Sequence, residues 1–527
     1  MTPRQRWTLI ATVIGSGAVF LDSTIVNVAL PRIGQDLPAG ALGVLEGQTY
    51  VVSGYLAVLA ALLIIAGALS DHYGRRRVYA IGLTSFAVTS ALCGLAPTLE
   101  WLVVFRLLQG ASGALLVPGA LSIITQTFPG EERARAFGIW AAATSALTVL
   151  GPIVGGLLVD TIGWRVSFLI NVPVLAVALW ATLRHVAESR DEEAPAHFDW
   201  LGSLVAALAV GGLAFGLIRG EQHAWDDTIA WIALGIGIVS LIAFPILMAK
   251  RPNPLVPLSL FRSRAFATIN LATFFIYGAL YVTFSYQGLV LQGALGYTAL
   301  AAGAAGLPIG VLLSVLSTRV GTLAGRVGPR RFLLAGPILM AMGLAWYARL
   351  PPDSAPWLAS IDDPATLIPP IDVVIDVLPA VMLFGVGISF VVAPLTSTLM
   401  GSIPSRFSGL GSAINNAISR VGQPLLGAII FIAVSATFYA SLGAAIPGLD
   451  PTADATRQAF APLNMPVGTA TPAELDAARV ASVEAFRQAC LVGVVLLAIG
   501  TAVIFVGLRE TDTAAGTADA VAAPSGA

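Results

Sequence analysis

The stretch LDSTIVNVAL (21–30) places a carboxylate, Asp22, inside a long apolar run. An ionised group in hydrocarbon is expensive, so such a residue is rarely idle. Burial raises a carboxyl pKa and a nearby arginine lowers it. Asp22 is therefore a candidate proton carrier, provided that an arginine approaches and withdraws. Arg106, in RLLQGASGA (106–114), is the other strongly charged residue deep in an apolar run. At 3.6 residues per turn it shares a face with Gly110, Gly113 and Val117, with Gln109 beside it. On the run that carries Asp22, Thr12, Ser16, Ser23 and Asn27 form a polar stripe, a candidate cavity lining. Asp22 lies to one side, among Ala11, Gly15, Ala18, Val26 and Ala29, small residues that let another helix come close. The run carrying Arg106 is the expected neighbour. A static Asp–Arg brace, or a carboxylate that binds a cationic ligand, would use the same residues. Arg420, in RVGQPLLGA (420–428), is a lesser candidate, since its run allows it either an interior place or one near the cytoplasmic end.

The elements that position these groups must cross a membrane. The chain has 527 residues, 57% hydrophobic and 11% charged, with mean hydropathy +0.85, whereas soluble domains are about 25% charged. Fourteen apolar runs, from 7–30 to 484–507, are each near the length of about 20 residues that spans a bilayer. They read as helices, since barrel strands would be half as long and would alternate in polarity. Basic clusters such as Arg75-Arg76-Arg77, Lys250-Arg251 and Arg330-Arg331 fall in alternate loops, which puts both termini in the cytoplasm. Cys93 and Cys490 lie within runs, and no disulfide framework is implied. All four histidines lie in loops, so no intramembrane metal site is expected. Lys250 is the only lysine and no Gly-Lys pair exists, which excludes a phosphate-binding P-loop and ATP drive through it. No cofactor and no nucleic-acid partner is implied.

A repeat divides the chain. GALSDHYGRRR (67–77) and GTLAGRVGPRR (321–331) align without gaps. Each follows the second run of its half if the second half begins at the ninth run. The expected domains are a six-helix bundle at 1–188, linkers with two inserted helices at 189–264, and a second six-helix bundle at 265–509. A long external loop at 439–483 interrupts the second bundle, and 510–527 forms a disordered cytoplasmic tail. Within the loop, Thr471, Pro472 and Glu474 start a helix with a capping box. Repeats of six spans are a transporter architecture, with the substrate site between halves. In the ninth run Phe274, Tyr277, Tyr281 and Phe284 form an aromatic stripe. It suits flat lipophiles, although packing on neighbouring helices would use it as well.

In order and position, these motifs resemble the major facilitator superfamily. GALSDHYGRRR resembles its loop signature, RLLQGASGA its fourth-span motif, and GPIVGG (151–156) its antiporter motif. LDSTIVNVALP and WRVSFLINVP (164–173) resemble the fourteen-spanner branch of drug:proton antiporters. The resemblance implies an all-α polytopic membrane protein of two six-helix bundles plus two inserted central helices. It implies a conformational latch at Gly67, Asp71, Gly74, Arg75 and Arg76, and a hinge at Gly151, Pro152, Gly155 and Gly156. Proton coupling falls on Asp22 and Arg106, and the candidate substrate cavity on Ser23, Asn27, Gln109, Tyr277, Tyr281 and Phe284. Leu147 stands where the antiporter motif usually has glycine, and Gly325 replaces the acidic residue in the second loop copy. The function implied is proton-coupled export of lipophilic neutral or monocationic compounds across the cytoplasmic membrane by a monomer. A narrow-specificity exporter of a natural product, lipid or metabolite is the alternative on the same fold. A membrane-embedded enzyme or receptor fits less well, since no Ser/His pair or paired aspartates lie within the runs.

Overall fold

The computed structural model describes residues 1–509 apart from 39, 41, 129, 191–198, 253, 404–407 and 469. The tail at 510–527 and most of the first charged linker lie outside the described residues, as do the surroundings of position 67 and the side chain at position 71. The regular elements of the described residues are all helices. The first set comprises α1 (Pro3–Asp36), α2 (Val44–Tyr73), α3 (Arg75–Gly94), α4 (Leu99–Ala114), α5 (Leu116–Thr127), α6 (Gly130–Thr161), α7 (Trp164–Leu169) and α8 (Asn171–His185). An inserted hairpin follows, α9 (Trp200–Gln222) and α10 (Thr228–Lys250). The second set comprises α11 (Arg264–Leu289), α12 (Ala299–Ala305), α13 (Leu307–Val327), α14 (Pro329–Tyr347), α15 (Leu378–Gly401), α16 (Ser408–Ala445), the short α17 (Asp454–Ala459) and α18 (Pro472–Gly507).

Three of the expected spans are broken in two, and each break has the same cause. The chain leaves regular α-helix at Leu115, Ile170 and Gly306, two or three residues before Pro118, Pro173 and Pro308. Proline has no N–H for the carbonyl four residues back, and its ring crowds that carbonyl. With these halves joined, twelve units are long and apolar enough to cross a bilayer. The 32-residue α6 and the 19-residue α14 account for the other two apolar runs.

The sequence repeat reappears as a repeated turn. Gly74 joins α2 to α3 at φ 104°, and Gly328 joins α13 to α14 at φ 93°. Both angles are left-handed, a region glycine enters without a side-chain penalty. The expected helix at 471 is also present: Thr471 caps α18, with Glu474 completing the box, and the helix runs unbroken to Gly507.

For orientation, the end of the molecule where α1 and α11 begin is called the basal face, and the opposite end the distal face. The two sets meet through α1 with α11, α2 with α16, and α6 with α12. In the inserted hairpin, α9 packs against both α2 and α16, while α10 packs chiefly on α9. Asp227 caps α10 through the Ile229 amide at 2.9 Å and pairs with Arg219 of α9.

Candidate functional site

Asp22 lies midway along α1 and is 0% exposed. The small residues beside it let α1 approach its neighbours closely. Opposite Gly15 of α1, Tyr79 of α3 donates its hydroxyl to the Ala11 carbonyl at 3.1 Å. Arg106, on α4, is 1% exposed, and its Nη1 lies 2.5 Å from Asp22 Oδ2. The two charged residues singled out by the sequence are thus in contact. The pair is surrounded by donors and acceptors from four further segments. Gln109 Nε2 and Asn171 Nδ2 donate to Asp22 Oδ1 at 3.1 and 3.2 Å. Arg106 Nη1 donates to Gln109 Oε1 at 2.8 Å, and its Nε to the Val51 carbonyl at 3.0 Å. Asn171 also donates to Ser90 Oγ at 3.0 Å, and Ser90 donates to the Phe168 carbonyl at 2.8 Å. The Arg106 guanidinium stacks 4.0 Å above the Tyr55 ring, whose hydroxyl is buried on the side of Ser23.

This arrangement suits an ionised Asp22. Its two oxygens accept three hydrogen bonds, and one positive charge balances one negative charge. Buried ion pairs of this kind tolerate desolvation only when the remaining hydrogen bonds are satisfied. Adding a proton to Asp22 would cancel the attraction and leave Arg106 with the Gln109 and Val51 oxygens.

Gln109, read from the sequence as a cavity residue, belongs to this cluster. Asn171 and Ser90 were not singled out there. Asn171 stands in the quoted stretch WRVSFLINVP, so a signal was present, but uncharged polar residues are common in spans and one alone is not diagnostic.

The residues read as a hinge sit in two seams, Gly151 and Gly155 against α1 within the first set, Pro152 and Gly156 against α12 of the second. A Cβ added at Gly155 would touch Ile25 of α1 at 3.0 Å, and one at Gly151 would overlap Thr24. One at Gly156 would lie 2.6 Å from Leu300 Cα, and one at Gly303 would overlap the Pro152 carbonyl. So α6 is clasped on one side by α1 and on the other by α12. Leu147, the departure from the glycine of the motif, projects into the space left by Gly17 of α1.

Hydrogen bonds between the two sets all lie toward the distal face among the described residues. Asp160, near the end of α6, accepts from the Ala299 and Leu300 amides at 3.1 and 2.7 Å, which caps α12. Ser285 donates to Asn27 at 3.3 Å, and Gln292 donates to the Val28 carbonyl at 3.0 Å. Gln48 of α2 and Asn464 of the long loop exchange two amide bonds of 2.8 and 2.9 Å, both residues being buried. Gln292 lies on a single π-helical turn, Val290–Ala294, and Gly293 of that turn admits the Leu463 backbone. Beneath these contacts is a small cavity of about 20 Å³ lined by Gln48, Thr49, Ser53, Ser285, Tyr286 and Gln423. That is room for about one water.

The remaining candidates are placed as follows. Ser23 bonds its own helix at the Val19 carbonyl. Phe284 meets Phe384 of α15 edge to face at 6.4 Å, and Tyr277 lies 6.2 Å from Tyr281. The aromatic stripe therefore packs partly within the second set. At the basal end of α2, Gly74 leaves space for Glu188, whose carboxylate accepts from the Arg76 amide at 3.1 Å. Arg76 also donates to the Leu183 carbonyl near the end of α8 at 2.9 Å, and the Arg75 amide donates to the Ser189 carbonyl at 2.8 Å. The surroundings of Gly67 and the side chain of Asp71, the other two latch residues, lie outside what is described.

The sequence profile of the Major Facilitator Superfamily matches residues 12–427. The chain belongs to that superfamily. Among its relatives, Multidrug resistance protein Stp of Mycobacterium tuberculosis is 35% identical over 456 residues, covering 85% of this chain and 80% of the relative. The Tetracenomycin C resistance and export protein of Streptomyces glaucescens is 34% identical over 428 residues, covering 80% and 74%. In fold, a bacterial homologue of the human lysosomal transporter Spinster, in an inward-facing unoccupied conformation, matches with TM-score 0.62 at 19% identity. That match covers 98% of this chain and 99% of that one. The facilitator described here is accordingly a multi-pass membrane transporter and not an enzyme.

Proposed function

We propose that this transporter exports lipophilic compounds from the cytoplasm in exchange for protons, and that the Asp22–Arg106 pair is where the proton rides. The observation that carries this reading is the sealed ion pair in a conformation whose inter-set hydrogen bonds, among the described residues, lie toward the distal face. With the basal face cytoplasmic and both termini inside, this is the state in which a proton has just been released inward and Asp22 is held by Arg106. Opening the distal side would let Asp22 take a proton from outside, and the freed Arg106 would favour the return. A ligand drives such a cycle only by binding the two states differently. Export as the direction is supported by the relatives, named for multidrug resistance and for tetracenomycin C resistance and export.

Of the two substrate classes implied by the sequence, neutral lipophiles are the better supported. The only carboxylate in the centre, Asp22, is already matched by Arg106, so a cation would have to displace that arginine. The narrow-specificity alternative is favoured by the relative named for a single compound. Dye efflux from everted membrane vesicles, with and without an imposed proton gradient, tests the proposal. Transport of the neutral dye Nile red that is indifferent to the gradient would overturn it.

A further inference from the structure

The second set contains a buried cation that the proton site does not use. Arg420 lies ten residues into the apolar part of α16, Leu410–Ala445, about 15 Å along the helix at 1.5 Å per residue. It is 7% exposed. Among the described residues no carboxylate pairs with it and no acceptor bonds it, and its nitrogens are not sealed in by protein. Its ring contact is across the interface: the guanidinium carbon lies 5.8 Å from the centroid of Phe20 on α1, and its charge also reaches Tyr55 of α2. The contrast with Arg106 is direct, since that guanidinium is bound by a carboxylate, an amide and a backbone carbonyl. An arginine at this depth is expected to face a cavity or a partner, and no protein group described supplies one.

The surroundings of Arg420 are those of a ligand site. Along one face of α16, Asn416, Arg420, Gln423 and Gly427 recur at helical spacing, and Gln423 and Gly427 line the cavity between the two sets. Gln423 is itself buried and holds only a long 3.5 Å bond to Ser285. Phe20 offers a flat apolar face opposite. A guanidinium fork with free donors, next to an aromatic ring and an underused amide, fits an oxygen anion carried on a flat apolar body.

We propose that Arg420 is a substrate-binding residue, and that it selects lipophiles bearing one acidic oxygen, such as a carboxylate, phenolate or enolate. The assignment rests on the export reading above and extends its substrate class from neutral compounds to acidic ones. The acid binds between Phe20 and α16 with its oxygen on Arg420 and Gln423. Lipophilic cations are repelled by the same charge.

Equilibrium binding to the purified full-length transporter, with no gradient present, tests this. Three tritiated probes share one skeleton: 2-naphthoate, 2-naphthylmethanol and 2-naphthyltrimethylammonium. The wild type should bind the naphthoate at least about tenfold more tightly than the cation, as one charge-assisted contact implies. Arg420→Gln should lose that preference while naphthylmethanol affinity stays unchanged, and Arg420→Lys should retain part of it. Thermal unfolding of Arg420→Gln should not fall, because an unpaired buried cation is being removed; a structural brace would predict a drop. A wild type that binds none of the probes, or shows no preference among them, overturns the proposal. So does an Arg420→Gln variant that weakens all three alike. Because no gradient enters the measurement, failure of proton coupling leaves this result intact, and the two readings fall separately.

Discussion

The amide pair between Gln48 and Asn464 offers a direct test of how the distal side stays shut. Gln48 belongs to α2 and Asn464 to the long loop of the second set, so the pair must separate whenever the distal face opens. Both residues are buried and the two bonds measure 2.8 and 2.9 Å. Neutral hydrogen bonds contribute roughly 0.5–1.5 kcal/mol each, so the pair favours the closed state by about 1–3 kcal/mol. That corresponds to a change of about 5- to 150-fold in the closed-to-open ratio. Asn464→Leu leaves the Gln48 amide buried with only the Leu30 carbonyl as acceptor, which points to the upper part of the range. The double variant Gln48→Leu/Asn464→Leu orphans neither group and should sit nearer the lower part. Spin labels at Ile162 and Leu358, both exposed, would report the distal separation by pulsed electron resonance. The expected result is a longer-distance population that grows in Asn464→Leu and partly recedes in the double variant. An unchanged distance distribution in the single variant would refute the gate.

Other outcomes follow from the same contacts. Gly303→Val should push α12 away from the Pro152 carbonyl and cut efflux by at least about tenfold, as a closed-state cost above about 1.4 kcal/mol implies, with membrane expression retained; full transport would show that the seam is not close-packed. Arg106→Lys should abolish uphill transport although the charge is kept, because lysine cannot serve Asp22, Gln109 and the Val51 carbonyl while stacking on Tyr55; wild-type efflux would reduce Arg106 to a point charge. Asp71→Asn should impair transport with little loss of folded protein, biasing the conformational equilibrium by about 1–3 kcal/mol; comparison of efflux with detergent-extracted yield checks it.

What could be read from the sequence was set by cost. Charges deep in apolar runs are so expensive that Asp22 and Arg106 announce themselves, and their neighbours on the helical period limited which helices could meet. The Gly74 and Gly328 junctions were visible because a left-handed turn demands glycine in both copies of the loop. Uncharged partners gave no such signal. Asn171, Ser90 and Gln48 resemble the polar residues that decorate many spans, and only the fold brings them to Asp22 or to Asn464. The distal plug was hidden for a different reason. Asn464 lies in a loop with no periodicity, and nothing local says that it returns to α2. Glu46 illustrates a third limit. It lies at the edge of an apolar run and not deep in one, yet it is buried in the first turn of α2, where its carboxylate accepts from the Gly43 amide at 3.0 Å. The aromatic stripe on α11 shows what periodicity omits, since it gives a face but not the neighbour, and part of that face meets Phe384 within the same set.

The central claim is that Asp22 carries the coupled proton. Proteoliposomes containing the wild type or Asp22→Asn, loaded with the neutral dye Nile red and given an imposed pH gradient, test it most directly. Asparagine keeps the shape and mimics the protonated group, so the variant should still equilibrate dye down its own gradient but should not move it uphill at any imposed pH difference. An Asp22→Asn transporter that still concentrates dye against its gradient, driven by protons, would contradict the account.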